Sequence, residues 1–223
     1  MRYAIYLTPP EGPLLDCAEA WLGRSAVSGK AMQSRAPVAA KAHVPARYGF
    51  HATLRAPFHL AAGVDEARLF DAFDAFAQSR GPIHVALTLG RLETFLALVT
   101  HESAVVNPVA DAAVRAFEPL RAPLSEAERA RRNPERLDER GRALLEAWGY
   151  PYVMDRFTFH MTLTGPMDSA HMGTVEDAAE TLFAPLLKAP QPLVLAVFRE
   201  DARGEPFRVV RTAGVMDRVE VRP

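Results

Sequence analysis

The chain has 223 residues, 49% hydrophobic and 24% charged, which excludes a collagenous, coiled-coil or wholly disordered protein. Its 26 Lys and Arg against 27 Asp and Glu give a formal net charge of -1, without the basic excess of a protein that coats long nucleic acid. The single cysteine, Cys17, precludes an internal disulfide, no apolar run approaches the ~18 residues of a membrane span, and the first residues show no secretory signal; the expectation is a cytoplasmic protein with no membrane partner.

Residues 2–7, RYAIYL, predict a strand that ends at Pro9-Pro10. Residues 13–22 place Leu14, Leu15, Ala18, Trp21 and Leu22 at helical spacing, with Pro13 in the first turn. Residues 23–46 are rich in Gly, Ser, Ala and Pro and read as a long, mobile loop or flap. Residues 48–58, YGFHATLRAPF, predict a strand that stops near Pro57; a helix follows, with Leu69, Phe73 and Phe76 on one stripe. Residues 83–100 read as two strands that bend around Gly90, and 107–118 as a helix. The stretch 121–148 holds seven arginines, an S-x-x-E capping pattern at Ser125 and Glu128, and a second amphipathic run through Leu137, Leu144, Leu145 and Trp148. Residues 152–164 predict a strand, 174–188 a helix, and 192–199 with 206–215 a hairpin around Arg203-Gly204. Strands and helices mix without strict alternation, which predicts an α+β fold with largely antiparallel sheet.

Two segments match without gaps at an offset of 109 residues: FHATLRAP at 50–57 and FHMTLTGP at 159–166. With 11 threonines and 23 leucines in the chain, seven histidines predict only about 0.04 chance occurrences of His-x-Thr-Leu. A helical and then a strand-like stretch follow each copy. The chain therefore reads as one bilobal domain, 1–223, with repeat units at about 48–105 and 157–215 and a charged helical connector at about 106–150.

Alternate strand residues share a face. His51, Thr53 and Arg55 share one in the first copy, and Thr158, His160, Thr162 and Thr164 in the second. An imidazole titrates near pH ~6.5, so two of them flanking a phosphodiester can divide the work. One removes a proton from the attacking oxygen; the other protonates the leaving oxygen. The hydroxyls of Thr53 and Thr162 can hold the non-bridging phosphate oxygens. Such an arrangement requires no metal and no cofactor. Arg55 fits a phosphate contact or a surface arginine equally, and Thr164 stands at the matching position of the second copy. Tyr6 and Tyr48 are candidates for substrate contact, although a buried tyrosine with one hydrogen bond is the commoner case. The other five histidines show no metal-ligand spacing. The segment 121–142 reads as a solvated helical face; in a second reading some of its arginines meet an anionic substrate.

The paired H-x-T-L motifs resemble those of the 2H phosphoesterase superfamily, which includes cyclic nucleotide phosphodiesterases and RNA 2',5'-ligase-like proteins. The stretches YGFHATLRAPF, FHMTLTGP, RYAIYL and RAPLSEAERARR narrow the resemblance to a bacterial branch found beside phosphonate-degradation genes. The resemblance implies a bilobal fold with two antiparallel sheets flanking a cleft and helices outside. It implies catalytic roles for His51 and His160 and phosphate-binding roles for Thr53 and Thr162.

The expected activity is metal-independent hydrolysis of a small cyclic or nucleotide-like phosphodiester, with a cyclic sugar phosphate as the narrower idea. The histidines have equivalent neighbours, so their acid and base roles stay open. Two alternatives use the same cleft: a non-catalytic module that binds a phosphate ester or an RNA end, and an RNA-ligase-like activity. The sequence has no G-x-S-x-G elbow, Walker loop or Rossmann glycine fingerprint.

Overall fold

The computed structural model describes residues 1–80 and 83–213, and in it the first strand, β1 (Arg2–Thr8), runs through the middle of an antiparallel sheet. Almost every β1 residue is buried, as expected of a strand with neighbours on both edges and layers on both faces. β2 (Ala52–Phe58) pairs along one edge and β7 (Gln191–Glu200) along the other. The full order is β3 (Ile83–Val85), β7, β1, β2, β6 (His160–Thr162), β5 (Phe95–Val99) and β4 (Thr88–Leu92), with β8 (Arg208–Thr212) also on β7.

The α+β class and antiparallel sheet match the sequence reading. The two expected sheets are joined, however, into one eight-stranded path. The joint between β2 and β6 is a single backbone pair, Ala52 with Met161, because β6 is only three residues long.

Four helices cover one face of the sheet: α1 (Pro13–Leu22), α3 (Glu66–Gln78), α4 (Ser103–Phe117) and α7 (Ser169–Phe183). Their apolar stripes, including Trp21, Phe73, Phe117 and Phe183, pack against Leu7, Leu54, Leu98 and Met161 from the strands. The opposite face carries a smaller cluster of Ala4, Tyr6, Ala196, Phe198 and Phe207. Three further helices lie between or beside these elements: α2 (His43–Ala46), α5 (Glu126–Ala130) and α6 (Glu139–Trp148). Ser125 caps α5 through the reciprocal Ser–Glu128 bonds expected of its sequence. No helix among the described residues is long and apolar enough to cross a membrane.

Several boundaries differ from the sequence reading for identifiable reasons. The segment 83–100 forms three strands, and its hairpin turns at Glu93, which takes a left-handed φ of 50°. Gly90 sits within β4, where a Cβ would meet Val99 Cγ2 at 2.6 Å, so it serves close packing rather than a bend. The predicted strand at 152–164 contracts to β6: residues Met154–Arg156 form a 3-10 turn, and past Thr162 one ladder bond remains, Leu163 N to the Leu96 carbonyl, before a side chain takes the place of the next. There Thr164 Oγ1 accepts from Leu96 N at 2.9 Å.

The supposed flap at 23–46 is tied down. Arg24 donates to the carbonyls of Ala46 and Phe207, the Ala40 carbonyl accepts from Gly165 N at 2.9 Å, and Ala40 and Ala42 belong to the core. The helices expected at 107–118 and 174–188 each begin earlier, at Ser103 and Ser169. The last two residues of the predicted stretch 206–215 lie outside the described residues.

Candidate active site

The antiparallel register about Ala52 and Met161 builds the site. Ala52, Leu54 and Met161 point into the core. Their neighbours alternate to the other face, so His51, Thr53, His160 and Thr162 share one surface of the sheet. The same register sets His51 opposite Thr162 and Thr53 opposite His160. All four are half-buried.

Both imidazoles are oriented in the same way. His51 Nδ1 lies 2.9 Å from the Gly49 carbonyl, and His160 Nδ1 lies 2.8 Å from the Thr158 carbonyl. A carbonyl only accepts, so each Nδ1 carries a proton and donates it. In the neutral ring, Nε2 then keeps its lone pair. Thr53 Oγ1 is 3.2 Å from His51 Nε2 and donates to it. His160 Nε2 and Thr162 Oγ1 have no protein hydrogen-bond partner among the described residues.

Two features fix the first motif. Gly49 has φ +79°, and a Cβ there would meet Ala26 Cβ at 2.5 Å. Only glycine brings its carbonyl under His51 without displacing Ala26. Thr8 Oγ1 donates to the Phe50 carbonyl at 3.0 Å and secures the intervening residue. In the second motif, Trp21 Nε1 donates to the Leu163 carbonyl at 2.9 Å, which anchors β6 to α1.

His51 is walled by aromatic rings. Tyr6 stacks on it with ring centroids 3.8 Å apart and planes 20° from parallel, Phe198 lies at 6.0 Å and Tyr48 at 6.3 Å. Burial pushes the imidazole down to about 4; the Gly49 carbonyl opposes that shift, and the nearby His160 adds to it. His51 is therefore neutral at pH 7. Burial also raises the Tyr6 phenol well above its ordinary value, so its hydroxyl stays protonated.

The remaining candidates take different places. Tyr6 is fully buried and acts on the His51 ring rather than on solvent. Tyr48 is half-buried and lines an open groove. Arg55 is fully buried, with Nη2 bonded to Glu118, while its Nε and Nη1 find no partner. It lines a small cavity with Arg121 and Tyr150 instead of the surface shared by the histidines. Thr164 is buried, and its hydroxyl is occupied by Leu96 N, so it does not continue the polar row.

Four residues at or beside the site carry no signal of their own in the sequence. Gly49 was within reach, since it sits two residues before His51. Phe95, whose ring is 6.0 Å from that of His160, comes from β5, and no local pattern marks it. Arg131 and Arg132, which border the groove beside Tyr48, were visible only as part of a charged run. Among the described residues, no group of three or more His, Cys, Asp or Glu side chains gathers as a metal site.

Comparison with known proteins adds a family. A model described as "Protein of unknown function (DUF1045)" matches residues 53–208, which include Thr53, His160 and Thr162. The ribose 1,5-bisphosphate phosphokinase PhnN of Janthinobacterium sp. (strain Marseille) is 36% identical over 221 residues, covering 92% of this chain and 49% of that protein. The protein of the same name from Laribacter hongkongensis (strain HLHK9) is 36% identical over 220 residues, covering 95% and 51%. The chain thus spans about half the length of the curated relatives it matches. With most of its length matched by that one family model, the chain belongs to the DUF1045 family of proteins of unknown function.

Proposed function

We propose that this protein is a phosphodiesterase of the 2H type that opens a small cyclic phosphodiester by two-histidine acid–base catalysis, without a metal. The observation that carries the reading is the pair of imidazoles on one surface, each held through Nδ1 by the carbonyl two residues before it and each followed two residues later by a threonine of the same face.

His51 is assigned the base, because it is neutral at pH 7 and its Nε2 lone pair points along the polar surface. It takes a proton from water as the water oxygen bonds to phosphorus. The bond from phosphorus to the sugar oxygen breaks, and His160, which enters the step as an imidazolium with its second proton on Nε2, gives that oxygen the Nε2 proton. As the substrate enters, the Thr53 hydroxyl turns from His51 Nε2 to a non-bridging oxygen, which frees the lone pair for water, and Thr162 holds the second; both oxygens gather charge in the transition state. The product is a phosphomonoester with a freed hydroxyl. Release and exchange of one proton between the histidines and solvent restore the starting state.

The name of the curated relatives supports the phosphonate-linked branch of the resemblance and a sugar phosphate as substrate. Opening a cyclic phosphodiester on a ribose phosphate yields a ribose bisphosphate, the class of compound in that name. The chain carries no G-x-x-x-x-G-K-[ST] phosphate loop, and we read its chemistry as supplying such a kinase rather than performing its step.

A turnover screen on 2',3'-cyclic nucleotides and ribose cyclic phosphates tests the reading. His51→Ala and His160→Ala should each lower kcat by about 100-fold or more. EDTA should leave wild-type turnover unchanged. Full activity in either variant, or loss with EDTA restored by metal, overturns the proposal. Binding without turnover across the panel would favour the non-catalytic module.

A further inference from the structure

Beside the histidine surface lies a groove of about 250 Å³, bordered by Tyr48 and five arginines: Arg2, Arg47, Arg131, Arg132 and Arg203. Arg2 and Arg47 both bond to Glu200, and Glu128 forms part of the wall. Two carboxylates therefore face five guanidinium groups, an excess of three positive charges. Arg131, Arg132 and Arg203 have no ion-pair partner among the described residues.

Within the arginine-rich segment Arg121, Arg129 and Arg140 are instead each paired with a carboxylate, while Arg136 and Arg142, also without an ion-pair partner among the described residues, do not line the groove. Three of the five groove arginines are also held in place. Arg132 lies over the Tyr150 ring at 4.9 Å, and the Glu200 carboxylate, almost fully buried, fixes Arg2 and Arg47. Neighbouring cations in excess of their carboxylates repel one another, and an anion in the groove relieves that repulsion. Guanidinium forks match the oxygens of a phosphate. A phosphomonoester is close to a dianion at neutral pH and meets the excess charge better than a diester does. Tyr48 connects the two regions, since it borders the groove and lies 6.3 Å from the His51 ring.

We propose that the groove binds a phosphomonoester carried on the same substrate molecule whose cyclic diester meets the histidine pair. This rests on the diesterase reading and narrows the substrate to a sugar cyclic phosphate with a second, terminal phosphate group.

Titration calorimetry with ribose 5-phosphate and with ribose tests the groove without any need for turnover. Wild type should bind ribose 5-phosphate and not ribose. Arg131→Ala/Arg132→Ala should weaken that binding about tenfold or more, and Arg140→Ala, on the paired surface, should leave it as it was. Equal binding of the two sugars overturns the proposal, as does an equal loss in Arg140→Ala, which would mark a general charge effect. Loss of binding in His51→Ala, with none in the double arginine variant, would put the phosphate at the histidines; the groove would fall while the diesterase reading stood. Turnover of cyclic phosphodiesters fails or succeeds separately.

Discussion

The Tyr6 ring lies against the His51 imidazole with 3.8 Å between centroids, and it is the nearest wall of the pocket that keeps His51 neutral. Replacing Tyr6 with leucine opens that wall to water and lowers the cost of charging the ring. The His51 pKa should rise from about 4 by about one unit or more. NMR titration of the imidazole carbon-bound protons measures this directly. An unchanged value would assign the desolvation to Phe198 and Tyr48 instead.

The same imidazole ties folding to pH. In the unfolded chain it protonates near 6.5, and in the folded chain only near 4. Between those values the unfolded state binds a proton that the native state refuses, so stability falls as pH drops through this window. The loss from this group reaches about 3 kcal/mol once pH is below the lower value. Urea unfolding at pH 7 and at pH 4 should show a smaller acid loss in His51→Asn than in wild type, by roughly that amount. Identical losses would mean that His51 titrates normally in the folded protein.

Gly49 offers a structural test of the first motif. An alanine there must adopt a left-handed φ and press on Ala26, so Gly49→Ala should cost about 2–4 kcal/mol. Adding Ala26→Gly removes the collision but not the backbone strain. The double variant should therefore recover part of the loss, with a coupling of about 1 kcal/mol or more in a double-mutant cycle. Strict additivity would show that Ala26 is not the obstacle.

The buried arginine makes an asymmetric prediction. Glu118 neutralises both Arg55 and Arg121. Glu118→Gln leaves two cations facing each other and should destabilise by about 3 kcal/mol or more. Arg55→Met removes a buried charge while Arg121 still pairs with Glu118, and its cost should be under about 1.5 kcal/mol. Denaturant melts of the two variants decide it: equal effects would contradict the pairing.

Much of the site was legible because each half is a short local motif and the two halves, far apart in the chain, repeat it. The repeated H-x-T-L pattern and the two-residue period of a strand were enough to put His51, Thr53, His160 and Thr162 forward together. Helix α1 was readable to the residue because Pro13 and Gly23 punctuate it. Tertiary pairing was not readable. The period of two cannot show that the strand stops at Thr162, since that depends on Leu96 N turning to the Thr164 hydroxyl. Arg55 obeys the same period, yet β2 bulges beside it: the partners of Thr53 and Arg55 are the adjacent residues Tyr6 and Ile5. Phe95 and the groove arginines reach their places through contacts across tens of residues of chain, which no local pattern encodes.

The lone backbone pair between Ala52 and Met161 has a stereochemical consequence. An antiparallel pair carries a local dyad through its centre, perpendicular to the sheet. That dyad exchanges His51 with His160 and Thr53 with Thr162. A phosphorus atom seated on the axis would have one imidazole on each side, in the positions that the entering and departing oxygens of an in-line displacement occupy. Hydrolysis of a chiral phosphorothioate analogue at such a centre, in a single step, would invert the configuration at phosphorus.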